Sequence, residues 1–318
     1  MATVIAWIFP GQGTQKVGMG RSLCDSSAAA RAVFEAADEA LGEPFSRLIF
    51  EGPAEQLTYT ANAQPAILTC SLAALAALRE AADVPLPAFA AGHSLGEYSA
   101  LVAAGALEFR QAVQLVRLRG EAMQRAVAPG QGAMAALVGA EPAVVEQLCA
   151  DVRAESGGER VLSAANFNAP GQIVIAGHAD AVERAGVLAK ERRLKAIPLK
   201  VSAPFHCSLM APAAEALNRA LGEVTFGALQ FPVLSNVEAL PNTDSQRVRE
   251  LLVRQVAGAV RWQETLEWMA QRGVTSAWEI GPGQVLAGLA KRTVPALAVK
   301  PAFEPQEIAA LVASITSG

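Results

Sequence analysis

Hydrophobic positions along the chain fall into short solid runs that alternate with longer periodic stretches. Val4 to Phe9 is a solid apolar run closed by Pro10-Gly11, the pattern of a strand buried on both faces. Residues 27–42 and 64–82 are rich in Ala and Leu with charges at turn spacing, which predicts helices. Leu86 to Ala91 is a second apolar run and stops at Gly92. Helical composition follows from Leu95 to Leu107, and an Arg-rich helical stretch covers 110–127.

The texture changes at Pro129-Gly-Gln-Gly132. Strand (133–139), helix (142–153), strand (161–167), strand (172–177), helix (179–192) and strand (194–200) then succeed one another. That βαββαβ order is the ferredoxin-like, split-βαβ pattern. Residues 131–200 are therefore expected to form a small subdomain inserted into a large one made of 1–130 and 201–318. The large part resumes with a strand at Phe231–Val237, helices at 245–256 and 262–272, and a strand at Ser276–Ile280. Gly281-Pro-Gly283 precedes what reads as the last substantial helix. The expected class is α/β, with a parallel sheet in the large subdomain.

Composition narrows the function classes. Of 318 residues, 52% are hydrophobic and 18% charged, which suits a compact enzyme and excludes a disordered or fibrous chain. A net charge of −4 gives no general reason to expect nucleic-acid binding. Cys24, Cys70, Cys149 and Cys207 are widely spaced with no CxxC pair. Neither a metal site nor a disulfide framework is expected, and a reducing, cytoplasmic setting is. The apolar N-terminus is short, lacks a basic leader and enters a Pro-Gly turn, so it reads as a strand and not a signal peptide. No run is expected to span a membrane.

Chemistry concentrates at Gly92-His-Ser-Leu-Gly96. An apolar strand, a tight G-x-S-x-G turn and a helix are the context of a nucleophile elbow, which makes Ser94 the candidate nucleophile. The plain alternative is a Gly-Ser turn with Ser94 as helix N-cap. A serine hydroxyl needs a base and oxyanion donors. The N–H of Leu95, next after the serine, is one candidate donor. Of three histidines, His93 sits on the elbow and His178 lies between a strand and a helix start. His206, in Val201-Ser-Ala-Pro-Phe-His-Cys-Ser-Leu-Met210, is the best placed base by position. Cys207 reads as a buried small residue. Phe9-Pro-Gly-Gln-Gly-Thr-Gln15 fails as a dinucleotide fingerprint, because Lys16 stands where a third glycine belongs. Gly-flanked Gln12 offers either a second main-chain donor or an ordinary turn.

Gly11-Gln-Gly-Thr-Gln15, Gly92-His-Ser-Leu-Gly96, Arg119 within Val116-Arg-Leu-Arg-Gly120 and Pro204-Phe-His-Cys207 occur in that order. Together with Asn166-Phe-Asn-Ala-Pro-Gly-Gln172 and Glu279-Ile-Gly-Pro-Gly283, they resemble the malonyl-CoA:acyl carrier protein transacylase family over nearly the whole chain. The resemblance implies a hydrolase-like large subdomain interrupted by the ferredoxin-like one, with no bound cofactor and malonyl-CoA as substrate. It implies that Ser94 becomes a malonyl-serine, His206 moves the proton, and the main-chain carbonyl of Gln255 orients the histidine. Gln12 and Leu95 would form the oxyanion hole. Arg119 would hold the malonyl carboxylate through its planar fork, and Arg117 would face elsewhere. Phe205 resembles the malonyl-selecting form of the motif, and Asn166 and Gln64 match positions near the pocket. The implied partner is an acidic acyl carrier protein serving fatty acid or polyketide synthesis, and the implied state is a monomer. The basic run with Lys190, Arg192, Arg193 and Lys195 is either a docking patch for that carrier or a solvated helix face.

Two other classes stay open. A discrete polyketide acyltransferase or an acyl hydrolase could use the same scaffold. An ordinary α/β-hydrolase wants an acid between Ser and His along the chain, and the acids from 141 to 191 fall in the insertion. A hydrolase of neutral acyl groups has little use for a buried arginine. A binding module without catalysis would not need Ser, His and Arg in mutually consistent places.

Overall fold

The computed structural model describes residues 4–316. Ten strands are seen in that range: β1 (Val4–Phe9), β2 (Phe89–Gly92), β3 (Gly132–Val138), β4 (Leu162–Ala169), β5 (Gln172–His178), β6 (Lys195–Pro198), β7 (Val233–Leu234), β8 (Pro241–Asn242), β9 (Val274–Ile280) and β10 (Ala298–Ala302). Six form one sheet in the order β10-β9-β1-β2-β7-β8. Its pairs are parallel except for β7 with β8. The solid apolar run of β1 follows from this central place, since a parallel sheet is covered on both faces. Trp7 and Phe9 join the core beneath the Thr60–Ala81 helix, while Ala6 and Ile8 pack with Trp262, Leu266 and Leu286 on the other side.

The second sheet is antiparallel, in the order β4-β5-β3-β6, and is the ferredoxin-like unit that interrupts the large part. Its helices Pro142–Glu155 and Ala179–Glu191 bury Val145, Leu148 and Ala185 against Leu137, Ile173 and Ile175. Period-two alternation turns Met134 and Val174 to the opposite face, into the core of the large part. The N–H of Phe167 donates to Val260 O and that of Val260 to Ala165 O, each at 2.9 Å, so β4 is stitched to the large part as well.

Several elements depart from the sequence expectation. The helix expected at 64–82 begins at Thr60, with Pro65 inside its opening turns. It is long and apolar enough to cross a bilayer by length and composition, but nearly all of it is buried in the core. The strand expected at Phe231–Val237 shrinks to Val233–Leu234. The chain turns there because the N–H of Asn236 goes to the Glu97 carboxylate, 2.9 Å away, and not to a neighbouring strand. The helix after Gly283, Val285–Thr293, is not the last: β10 and the helix Pro305–Thr316 follow. The basic run does not lie on one helix face, since the helix stops at Glu191, Arg193 has φ 60° and Lys195 starts β6.

Candidate active site

β2 delivers its last residue, Gly92, into the elbow, and Ser94 sits there at φ 50°. A non-glycine residue in the left-handed region is strained and persists only when its surroundings over-determine it. Close packing does that here. A Cβ on Gly92 would lie 1.9 Å from the Gly96 carbonyl carbon, and one on Gly96 would lie 2.1 Å from Phe9 O. Asn236 braces the turn from the side: its Oδ1 accepts the Ser94 N–H at 2.6 Å and its Nδ2 donates to Gly92 O at 2.7 Å.

The Ser94 hydroxyl is 2.8 Å from His206 Nε2. His206 Nδ1 faces two main-chain carbonyls, Gln255 O at 2.9 Å and Gly258 O at 3.2 Å. Carbonyls only accept, so the ring proton sits on Nδ1 and Nε2 is left to take the serine proton. Burial first, and then the Arg119 charge, hold the His206 pKa down at about 3 against the opposing pull of the two carbonyls. The imidazole is therefore neutral and ready as a base. No carboxylate touches it among the described residues.

Arg119 lies on the Phe109–Arg125 helix and is 2% exposed. It meets the Thr60–Ala81 helix closely because Gly120 leaves room: a Cβ there would sit 2.7 Å from Thr60 O. Arg119 Nη1 donates to Gln64 Oε1 at 2.6 Å. Its Nη2 donates to Gln255 Oε1 at 2.9 Å and to Ser94 Oγ at 3.1 Å. The Tyr98 ring lies 5.5 Å beneath the guanidinium. Every acceptor in that set is neutral, and burial lowers the arginine's pKa. A buried cation facing only dipoles is a receptor for an anion. Arg117, two residues earlier, turns away to Glu43 and Asn62.

A cavity of about 630 Å³ opens over these groups, bounded by Gln12, Ser94, Arg119 and His206. Met123, Met134, Val174, Leu199 and Phe205 make its apolar walls, and Gln64 and Asn166 also border it. The N–H groups of Gln12 and Leu95 have no hydrogen-bond partner among the described residues. Gln12 is fixed through its side chain, which donates to Thr60 Oγ1 at 3.1 Å, and Thr60 in turn meets Ser202 Oγ at 3.1 Å. Lys190, Arg192, Arg193 and Lys195 do not border the cavity, and Arg192 is taken up by Asp151. His178 is occupied in the small subdomain, accepting the Val161 N–H at 2.9 Å. Cys207 is buried against Pro204 O.

Sequence reasoning missed three contributors. His93 Nε2 meets Asn168 Oδ1 at 2.8 Å on the cavity edge. Asn236 stands in no recognisable motif and reaches Ser94 only through the tertiary fold. Glu97 carried a faint signal, as an acid in the first turn of an otherwise apolar helix, Gly96–Ala103.

Residues 6–313 match the family model of the acyl transferase domain. The malonyl CoA-acyl carrier protein transacylase of Bacillus subtilis (strain 168) is 48% identical over 305 residues, covering 96% of this chain and 95% of that protein. A solved acyl carrier protein S-malonyltransferase from Vibrio cholerae is 45% identical with a TM-score of 0.93, over 97% of this chain and 100% of that one. A malonyl-transacylase solved in complex with its type II polyketide acyl-carrier protein is 41% identical with a TM-score of 0.94, over 98% and 100%.

Proposed function

Since the chain belongs to the acyl transferase domain family, we propose that it moves the malonyl group from malonyl-CoA to the phosphopantetheine thiol of an acyl carrier protein. Arg119 carries this reading: a buried, anion-receptive fork 3.1 Å from the nucleophile is what a short acyl chain ending in a carboxylate requires. Each Nη of arginine has two hydrogens. Those on Nη2 are spent on Gln255 and Ser94. When Ser94 becomes an ester it needs no donor, so that hydrogen is released to the malonyl carboxylate beside the free one on Nη1.

Ser94 Oγ attacks the thioester carbonyl while His206 Nε2 takes its proton. The oxyanion settles on the N–H groups of Gln12 and Leu95. Collapse expels the coenzyme A sulfur, which receives the proton from His206. The carrier thiol then gives its proton to His206 and attacks the malonyl-serine by the reverse path, regenerating Ser94. Gln255 O and Gly258 O hold the imidazolium through Nδ1–H, in place of a third carboxylate. No cofactor is needed, because nucleophile, base and cation all come from one chain, and a monomer is competent. Residues 131–200 act as the inserted subdomain whose sheet roofs the cavity. Phe205 and the two methionines narrow the space beside the acyl chain. All four cysteines are free, which suits the cytoplasm.

Steady-state kinetics with malonyl-CoA and either a fatty-acid or a polyketide holo-carrier test this. Parallel double-reciprocal lines are expected with the physiological carrier. Intersecting lines with both would remove the acyl-enzyme step.

A further inference from the structure

One buried carboxylate touches none of the reacting groups and still contacts both braces of Ser94. Glu97 is 3% exposed. Its Oε2 accepts the main-chain N–H of Asn236 at 2.9 Å and the side-chain Nε2 of Gln255 at 2.8 Å. Asn236 is the residue whose amide clasps Ser94 N and Gly92 O, the two sides of the elbow. Gln255 Nε2 also donates to Ser94 O at 2.9 Å, and its Oε1 accepts from Arg119 Nη2 at 2.9 Å.

We propose that Glu97 is a positioning residue for the acyl-transfer site, fixing which end of the Gln255 amide faces Arg119 and thereby where the guanidinium sits beside Ser94. The inference rests on Arg119 acting as the malonyl clamp. Its logic is donor–acceptor accounting. An amide has a donor end and an acceptor end separated by one bond. With an acceptor at Glu97 and another at Ser94 O, the NH2 end is committed to that side. The oxygen is then the only group left for Arg119, and it matches a guanidinium, which only donates. Without the Glu97 acceptor only Ser94 O would hold the NH2 end, and each time the amide flipped it would oppose NH2 to the arginine, donor against donor, and push the fork out of register. A buried polar network of this kind either satisfies every member or loses its geometry. Burial also pushes Glu97 up to about 7, and a proton on its Oε1 leaves Oε2 still able to accept both bonds.

The test compares Glu97→Met, Glu97→Asp and Glu97→Gln with the native protein for kcat/KM of Ser94 acylation by malonyl-CoA and by acetyl-CoA. Glu97→Met removes the acceptor at similar volume, and Glu97→Asp retracts it by a methylene while keeping a carboxylate. Each should lower the malonyl-over-acetyl ratio by about tenfold to a hundredfold, the worth of a hydrogen bond to a charged group. Glu97→Gln, whose carbonyl oxygen can stand in for Oε2, should restore most of the ratio. A purely structural role would depress both substrates together. If Glu97→Met does not fold, Glu97→Asp carries the same comparison. An unchanged ratio in the folded variants overturns the proposal for Glu97. Failure of the native protein to form a malonyl-serine at all would instead overturn the functional reading on which it rests.

Discussion

Replacing Arg119 with methionine keeps most of the side-chain volume and removes the charge. In the free protein the change strands two buried acceptors, Gln64 Oε1 and Gln255 Oε1, each now at 2.6 and 2.9 Å from a guanidinium nitrogen. Each orphaned group costs about 1–3 kcal/mol of stability unless water reaches it. The kinetic effect is more selective. A malonyl carboxylate would find no cation at the place where the buried guanidinium, itself 2% exposed, had stood. Losing one partner of a buried, hydrogen-bonded charge pair costs about 2–5 kcal/mol, or about 30-fold to several-thousand-fold in kcat/KM. Acetyl-CoA has no carboxylate, and removing an unpaired cation from beside its methyl group costs nothing electrostatic. The malonyl-over-acetyl ratio should fall by the full amount while the acetyl rate holds or rises. Single-turnover acylation of Ser94 with each thioester, followed by quenched mass measurement, reads the two rates separately. Equal losses for both substrates would refute the clamp and reduce Arg119 to a packing residue.

The pH dependence follows from the buried base. His206 is pushed down to about 3, first by desolvation and then by Arg119, so it stays neutral across the usual range. Ser94 acylation should stay flat from about pH 8 to pH 5, where a histidine of ordinary pKa near 6.5 would lose about tenfold per unit. Glu97, pushed up to about 7 by burial, keeps both of its hydrogen bonds when protonated, so any inflection there should be slight and should vanish in Glu97→Gln. One that persists would contradict the assignment of His206. In Arg119→Met one cause of the depression is gone, and the acid limb should move up. The same depression acts on stability: the folded state refuses a proton that the unfolded state accepts below 6.5. Its contribution is present above that pH and lost as the pH falls toward 3. For the basic run, Lys190→Glu with Lys195→Glu should raise KM for the carrier in low salt and leave acylation by malonyl-CoA unchanged. An unchanged carrier KM would return these residues to an ordinary solvated surface.

The sequence conveyed those features that periodicity and local motif encode. β1, β2 and the βαββαβ unit announced themselves because a buried strand must be solidly apolar and a half-buried one must alternate. Ser94 and His206, distant in sequence and 2.8 Å apart in the fold, were reachable because each stands in a recognisable motif. Arg119 was found the same way. Asn236 and Glu97 were not, since their meaning lies in one main-chain N–H diverted from a sheet edge, an event no local pattern records. The side chain of Gln255 was missed for a related reason. Only its carbonyl was expected to matter, while its amide also ties Arg119, Ser94 and Glu97 together. The basic run straddles the end of the helix at Glu191 and the start of β6 at Lys195, close to the boundary the sequence reading places between 192 and 194.

The most direct measurement is mass analysis of the protein after malonyl-CoA alone, with the carrier withheld. One malonyl group should appear on the peptide that carries Ser94, be absent from Ser94→Ala, and discharge when holo-carrier is added. A label on any other residue, or labelling that survives in Ser94→Ala, would contradict the malonyl-serine on which the mechanism depends.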